Sequence, residues 1–356
     1  MSPEELLEKL VAIPSLSRQE APIAEFVAGL AESWGYQVHR HLNNVWFEAG
    51  QGSPRLLMLC HLDTVAPCEG WQGDPFQPTW NEGHLTGLGA NDAKGSVACM
   101  LSAAHTLASE KLEGTVVFTF SAEEEVGGES GLNKLLPMLG PIDAALVGEP
   151  TNLQPCISQR GMLVLACTAR GQSAHVAHAF LAKNAIHKAS QDINKLSSMV
   201  FESHSLLGAT RPQVTTVQGG VGRNQVPDTC EFFVDLRTTP NLDHEELAER
   251  IARELESEVK IHSSRYKPKS TDAFAPIAQA TLAVATGKTF VGSATTSDWA
   301  FLGDIPTVKV GPGDTLRSHR PNEFITAKEL QAGAAFYPQV ARQYFALVRK
   351  ETPLGR

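Results

Sequence analysis

Three short apolar runs, each stopping at or just before an ionisable side chain, constrain this sequence more than any other feature. Leu56-Leu57-Met58-Leu59-Cys60 ends at His61-Leu62-Asp63, Val116-Val117-Phe118-Thr119-Phe120 leads to Glu123-Glu124-Glu125, and Ala144-Ala145-Leu146-Val147 leads to Glu149. Runs of this length without polar alternation read as strands buried on both faces, and the helical periodicities over 21–34 and 95–107 supply layers to cover them. The pattern predicts an α/β fold with a mostly parallel central sheet. In open sheets of that kind the ligand crevice lies at the carboxyl ends of the strands, which is where these side chains fall.

The rest of the chain divides around this core. Ser2-Pro3-Glu4-Glu5 reads as a helix start, with Ser2 as cap, Pro3 in the first position and Glu5 closing a capping box ahead of Leu6, Leu7, Leu10 and Val11. A strand is expected over 37–47. From Gly161 the pattern changes to half-buried strands (162–168, 231–236) and two helices (183–196, 243–255), the second capped by Asp243. The tail over 276–345 returns to α/β character, with a strand at 307–310 and a closing helix at 327–348. With 356 residues, about two domains are expected at roughly 100–200 residues each. We expect one from 1–160 and 268–356, and an inserted α+β domain from 161–267.

Composition removes several classes of function. Thirty Lys and Arg against 39 Asp and Glu give a net charge of -9, with no basic run interleaved with aromatics, so a nucleic-acid surface is not expected. No apolar stretch reaches the ~18–20 residues of a membrane span. The acidic start has neither a basic nor an apolar leader region, so a cytoplasmic location is expected. The six cysteines contain no C-x-x-C pair, which argues against a zinc ribbon or a disulfide framework.

His61, Asp63, Asp92, Glu124, Glu125, Glu149 and His319 all stand at predicted strand ends or loops next to buried runs. Any one of them alone would ordinarily be a cap or a solvated group. Together, two histidines and several carboxylates suit zinc or a similar divalent ion, with enough ligands for two ions sharing a carboxylate. Gly87-Leu88-Gly89-Ala90-Asn91-Asp92-Ala93-Lys94-Gly95 has neither G-x-G-x-x-G nor Walker spacing, so its glycines are read as letting Asp92 point inward at a helix start. A carboxylate two residues from a ligand histidine, as Asp63 is from His61, can hold the ring. Adjacent Glu124 and Glu125 can divide metal binding and proton handling.

His61-Leu62-Asp63-Thr64-Val65, Gly89-Ala90-Asn91-Asp92-Ala93-Lys94-Gly95, Glu123-Glu124-Glu125-Val126-Gly127, Gly148-Glu149-Pro150-Thr151 and His319-Arg320-Pro321-Asn322-Glu323 resemble, in order, the successive motifs of the M20 metallopeptidase and deacylase family. The resemblance implies a zinc-peptidase-like catalytic domain with an inserted lid and dimerisation domain. It implies that His61 and Glu149 bind one metal, Glu125 and His319 the other, and that Asp92 bridges them. Asp63 would orient His61, and Glu124 would be the general base. The family's usual Asp-Glu-Glu has Glu123 in its first place here, and counting back from Val126-Gly127 gives Glu124 as base and Glu125 as ligand.

Gly171-Gln172-Ser173-Ala174-His175 resembles the lid motif whose histidine stabilises the oxyanion and, in dimeric members, reaches the partner's active site; His178 competes for that role. The stretch from Gly219 to Pro227 and Asp235-Leu236-Arg237 resemble segments that grip the substrate carboxylate, with Asn224 and Arg237 as the binding groups. An Arg fork suits a carboxylate, although a surface salt bridge is the alternative for Arg237. Ser297-Asp298 and Gly311-Pro312-Gly313 resemble loops on the far side of the pocket. The resemblance implies a metal-dependent amidohydrolase with two divalent ions, Zn or Co, acting as a homodimer on a small-molecule N-acyl amino acid. The length and the contexts of Asp63 and Asp92 are most similar to acetylornithine deacetylases and their acetyl-lysine or acetyl-citrulline relatives, in arginine or lysine biosynthesis. A succinyl-diaminopimelate desuccinylase, or an M20 dipeptidase or carboxypeptidase, is the alternative.

Overall fold

The computed structural model describes residues 1–351, which separate into two compact units. The first comprises Met1–Ile157, Thr271–Val291 and the chain from Ser297 onward; the second comprises Ser158–Ser270 with Gly292–Thr296.

In the first unit, helix Pro3–Val11 begins as its capping box predicts: the Glu5 N–H donates to Ser2 Oγ and the Ser2 N–H donates to Glu5 Oε2. Its face of Leu6, Leu7, Leu10 and Val11 is buried. Four strands form the parallel centre of the sheet in the order Thr115–Ser121, Arg55–His61, Ala144–Val147 and Thr307–Lys309. Every residue of Thr115–Ser121 and Ala144–Val147 is buried, as continuous apolar runs covered on both faces require. The register pairs His61 with Ser121 and Leu59 with Val147, so the carboxyl ends of these strands lie along one edge.

The expected strand over 37–47 is instead an antiparallel hairpin, Val38–His41 and Asn44–Gly50, on the outer flank of Thr115–Ser121. Its two-residue turn puts Leu42 at φ 54°, a position for which glycine is the usual occupant. Helices Ala21–Ser33, Lys94–Leu107, Pro276–Val284 and Ala327–Glu351 contribute to the layers around the sheet. None of the helices among the described residues is long and apolar enough to cross a membrane.

The second unit is a four-stranded antiparallel sheet in the order Pro212–Gly219, Thr229–Thr238, Gly161–Arg170 and Glu258–Tyr266. Gly161–Arg170 alternates buried and half-buried positions along its length. Its buried Leu163, Leu165 and Cys167 share a core with Ala185, Ala189 and Leu196 of helix Ala185–Ser198 and with Leu247 and Ile251 of helix His244–Glu254. Asp243 caps the latter by accepting from the N–H groups of Glu245 and Glu246.

Candidate active site

The parallel strands of the first unit deliver His61, Glu124, Glu125 and Glu149 to one edge, and two loops add Asp92 and His319. The His61 ring is almost fully buried. Its Nδ1–H donates to the main-chain carbonyl of Asp63 at 2.9 Å, and its Nε2 faces Asp92 Oδ1, 3.4 Å away, and Glu149 Oε1, 3.9 Å away. His319 Nε2 stands 3.0 Å from Glu125 Oε2 and 3.9 Å from Asp92 Oδ2. Asp92 therefore offers one oxygen to each histidine.

Asp63 contacts the His61 ring with both its main chain and its side chain. Its carbonyl accepts from the ring at 2.9 Å, and its carboxylate lies 3.5 Å from the ring and accepts from the N–H groups of Glu124 (3.0 Å) and Glu125 (3.1 Å) and from the Ser17 hydroxyl (2.7 Å). One carboxylate thus fixes the turn that presents both glutamates, and despite its burial His61, followed by the Ser17 hydroxyl and the Glu125 N–H, holds its pKa below the usual range.

The triple glutamate is sorted by the same turn. Glu123 adopts φ 57°, donates its N–H to buried Glu20, and sends its own carboxylate to the Ser130 N–H, so it faces away from the cluster. Glu124 and Glu125 face inward. Ligand atoms of His61, Asp92 and Glu125 lie within 4.8 Å of one another, as do those of His61, Glu124 and Glu149.

The donor set fits divalent ions on two grounds. Around a tetrahedral ion with bonds of about 2.1 Å, neighbouring donor atoms stand about 3.4 Å apart, which the His61 and Asp92 atoms match. The electrostatics of the cluster also call for a cation. Burial, reinforced by Asp92 and Glu125 and only partly offset by Lys309, pushes Glu149 up to about 7. Burial and the charge of Glu149 raise Glu124 well above the ordinary carboxylate range, and burial likewise raises Glu125. His319, hydrogen-bonded to Glu125, is raised to about 9. Carboxylates crowded in this way repel one another unless positive charge is shared among them.

Several contributors had little or no sequence signal. Lys309 is buried in the strand Thr307–Lys309, aligned with Val147, and its charge favours ionised Glu149. A lysine inside an apolar run was the available clue. Asp298, in the Ser297-Asp298 segment that the resemblance did single out, accepts from Ser121 Oγ at 2.7 Å, and burial pushes it up to about 6.

The family profile of peptidase family M20/M25/M40 matches residues 57–343. The chain belongs to that family. It is an M20 hydrolase, and solved structures share its fold along nearly the whole chain. A tripeptidase from Staphylococcus aureus superposes with a TM-score of 0.80 at 20% identity, over 97% of this chain and 98% of that one. An M20 family metallo-carboxypeptidase from Sulfolobus solfataricus gives 0.78 at 18%, over 97% and 100%. A dinuclear metal binding peptidase of the M20 family from Bacillus subtilis gives 0.75 at 19%, over 97% of each chain. At these identities the likeness is one of fold.

In the second unit, His175 and Asn224 lie together. The short strand Ala174–His175 pairs with Gln225–Val226, and the Val176 N–H donates to the Asn224 carbonyl. His175 Nδ1 accepts from the Ala177 N–H at 3.1 Å, so the neutral ring carries its proton on Nε2, and the exposed side chain presents a donor outward. The competing His178 ring packs near His175 and against Phe180, with centroids 6.4 and 6.1 Å away. Arg237 is held by its neighbour Asp235, with Nε 2.9 Å from Oδ1. It stands eight residues along the strand from Thr229, about 26 Å at the usual rise per residue, whereas Asn224 precedes the Thr229 end.

Proposed function

We propose that the protein hydrolyses the amide bond of an N-acyl amino acid, expected to be an N-acetyl group on a substrate such as N-acetylornithine, using two divalent ions, zinc or cobalt. The carrying observation is the placement of Asp92, one oxygen toward His61 and the other toward His319, with Glu124 beside His61 and Glu149. His61 and Glu149 would hold one ion, Glu125 and His319 the other, with Asp92 shared. Bound there, such ions lower the pKa of water and polarise an acyl carbonyl.

The remaining steps belong to the chain's own side chains. Glu124 takes the proton from the attacking water and later hands it to the departing amine. His175, with its Nε2–H exposed, donates to the oxygen that gains charge when the carbonyl is attacked. Asn224 and Arg237 bind the substrate carboxylate. Asn224 precedes Thr229 while Arg237 lies eight residues beyond it along the strand, which supports assigning them, and His175, to a homodimer in which each site draws groups from both protomers. The unit formed by residues 161–267 is then the lid and dimerisation domain, inserted into a catalytic domain of residues 1–160 and 268–356. A cytoplasmic role in arginine or lysine biosynthesis follows from the acetyl-substrate reading.

A second reading is supported by the tripeptidase and carboxypeptidase among the solved structures of like fold: hydrolysis of a short peptide. Both use the same chemistry. Amine release from N-acetylornithine, N-acetylcitrulline, N-acetyllysine, N-succinyl-diaminopimelate and a glutamyl dipeptide, with chelated protein and with zinc or cobalt restored, separates them. Metal-dependent cleavage of an acetyl compound is expected. Preference for the succinyl compound or the dipeptide would overturn the choice of substrate and leave the metal chemistry in place.

A further inference from the structure

Asp92 can serve two histidines only if its loop and the loop carrying His319 keep a fixed relation, and two buried side chains tie them together. Glu323, 231 residues further along than Asp92, is 2% exposed, and its Oε1 accepts from the main-chain N–H groups of both Asn91 and Asp92 at 2.8 Å. Asn91, fully buried, ties in the opposite direction. Its Oδ1 accepts from the Asp314 N–H at 2.9 Å, and its Nδ2 donates to the Asp314 carbonyl at 3.0 Å and to Ser318 Oγ at 3.3 Å. Gly313, at φ 84°, lies so close that a Cβ there would strike Asn91 Oδ1. Asn91 thus grips the segment just before His319, and Glu323 reaches back from just after it to the amide of Asp92.

We infer that Glu323 and Asn91 are positioning residues that set where the Asp92 carboxylate stands between His61 and His319, and hence how tightly the Glu125–His319 site binds its ion. The inference rests on the two-ion reading above. Glu323 acts here as a hydrogen-bond acceptor. A glutamine carbonyl in the same place can accept from the same two N–H groups, and an alanine cannot. With the acceptor gone, the Asp92 loop loses two main-chain anchors while every proposed ligand is still present. Removing an outer partner of a metal ligand typically weakens metal affinity roughly 10–100-fold.

The test is cobalt titration of metal-depleted wild type and of Glu323→Ala, Glu323→Gln and Asn91→Ala, read by metal per chain, visible absorption and melting temperature. The expected result is two ions in the wild type. In Glu323→Ala and Asn91→Ala the second ion should bind roughly 10–100-fold more weakly, with a changed spectrum, and the first should be little affected. Glu323→Gln should restore the second ion. A Glu323→Ala protein with wild-type affinity and spectrum for both ions would overturn the inference. So would a Gln variant as impaired as Ala, or a loss of both ions in step with melting temperature. If Glu323→Ala does not fold, Asn91→Ala decides the matter alone. Fewer than two ions in the wild type would instead refute the two-ion reading.

Discussion

Replacing Glu124 with Gln is expected to leave both metal ions bound and to slow amide hydrolysis by on the order of 10³-fold, within the roughly 10²–10⁴ range that a positioned general base contributes. At 1.36 kcal/mol per factor of ten, that is about 4 kcal/mol of transition-state stabilisation. Gln has nearly the same shape, and the N–H of residue 124 would still donate to Asp63 Oδ1, so the turn presenting Glu125 should survive. What is lost is the capacity to take a proton. Burial, followed by the charge of Glu149, raises the Glu124 pKa, which favours holding a proton once it has been taken. Steady-state kinetics with metal analysis of the same sample checks this. A Gln variant with near wild-type kcat and full metal content would remove Glu124 from the mechanism.

Replacing Asp92 with Ala should have an effect at least as large but of a different kind. Asp92 turns one carboxylate oxygen toward each histidine, so its removal should reduce the bound metal from two ions to at most one and abolish most turnover. Loss of an outer-shell partner alone costs roughly 10–100-fold, so loss of a shared ligand should cost about 100-fold or more. Stability gives a second readout. An ion at 100 times its Kd stabilises the folded wild type by about 2.7 kcal/mol per site, and the Ala variant should lose most of the second increment when melted with and without zinc. Full double occupancy in this variant would show that the bridge lies elsewhere.

The sites that were easiest to read were those at the ends of buried strands. Leu56 to Cys60 could hardly be anything but an interior strand, and a histidine directly after it had to stand at the strand's carboxyl end. The same reasoning placed Glu149 and the Glu123–Glu125 turn. The facing of the three glutamates depended on a contact across the fold, the Glu123 N–H donating to buried Glu20, which no local pattern encodes. The hairpin at Leu42 was hidden for a local reason: its turn places leucine at positive φ, and without glycine the stretch resembled one continuous strand. Asp63 was legible as a partner of His61, yet its larger task, holding the main chain of Glu124 and Glu125, appears only once residues 61 apart in sequence are brought together. In the second unit the resemblance pointed to His175, Asn224 and Arg237, but Arg237 stands about 26 Å along its strand from Thr229, the end that Asn224 precedes, and spacing in sequence does not show that.

The most direct test of the two-ion account is zinc titration of the metal-depleted wild-type protein, with bound zinc per chain and amine release from the best substrate of the panel measured on the same samples. The account predicts no hydrolysis without metal, saturation at two zinc per chain, and activity that rises with that loading. Hydrolysis by fully metal-free protein, or saturation at one zinc or none, would contradict it.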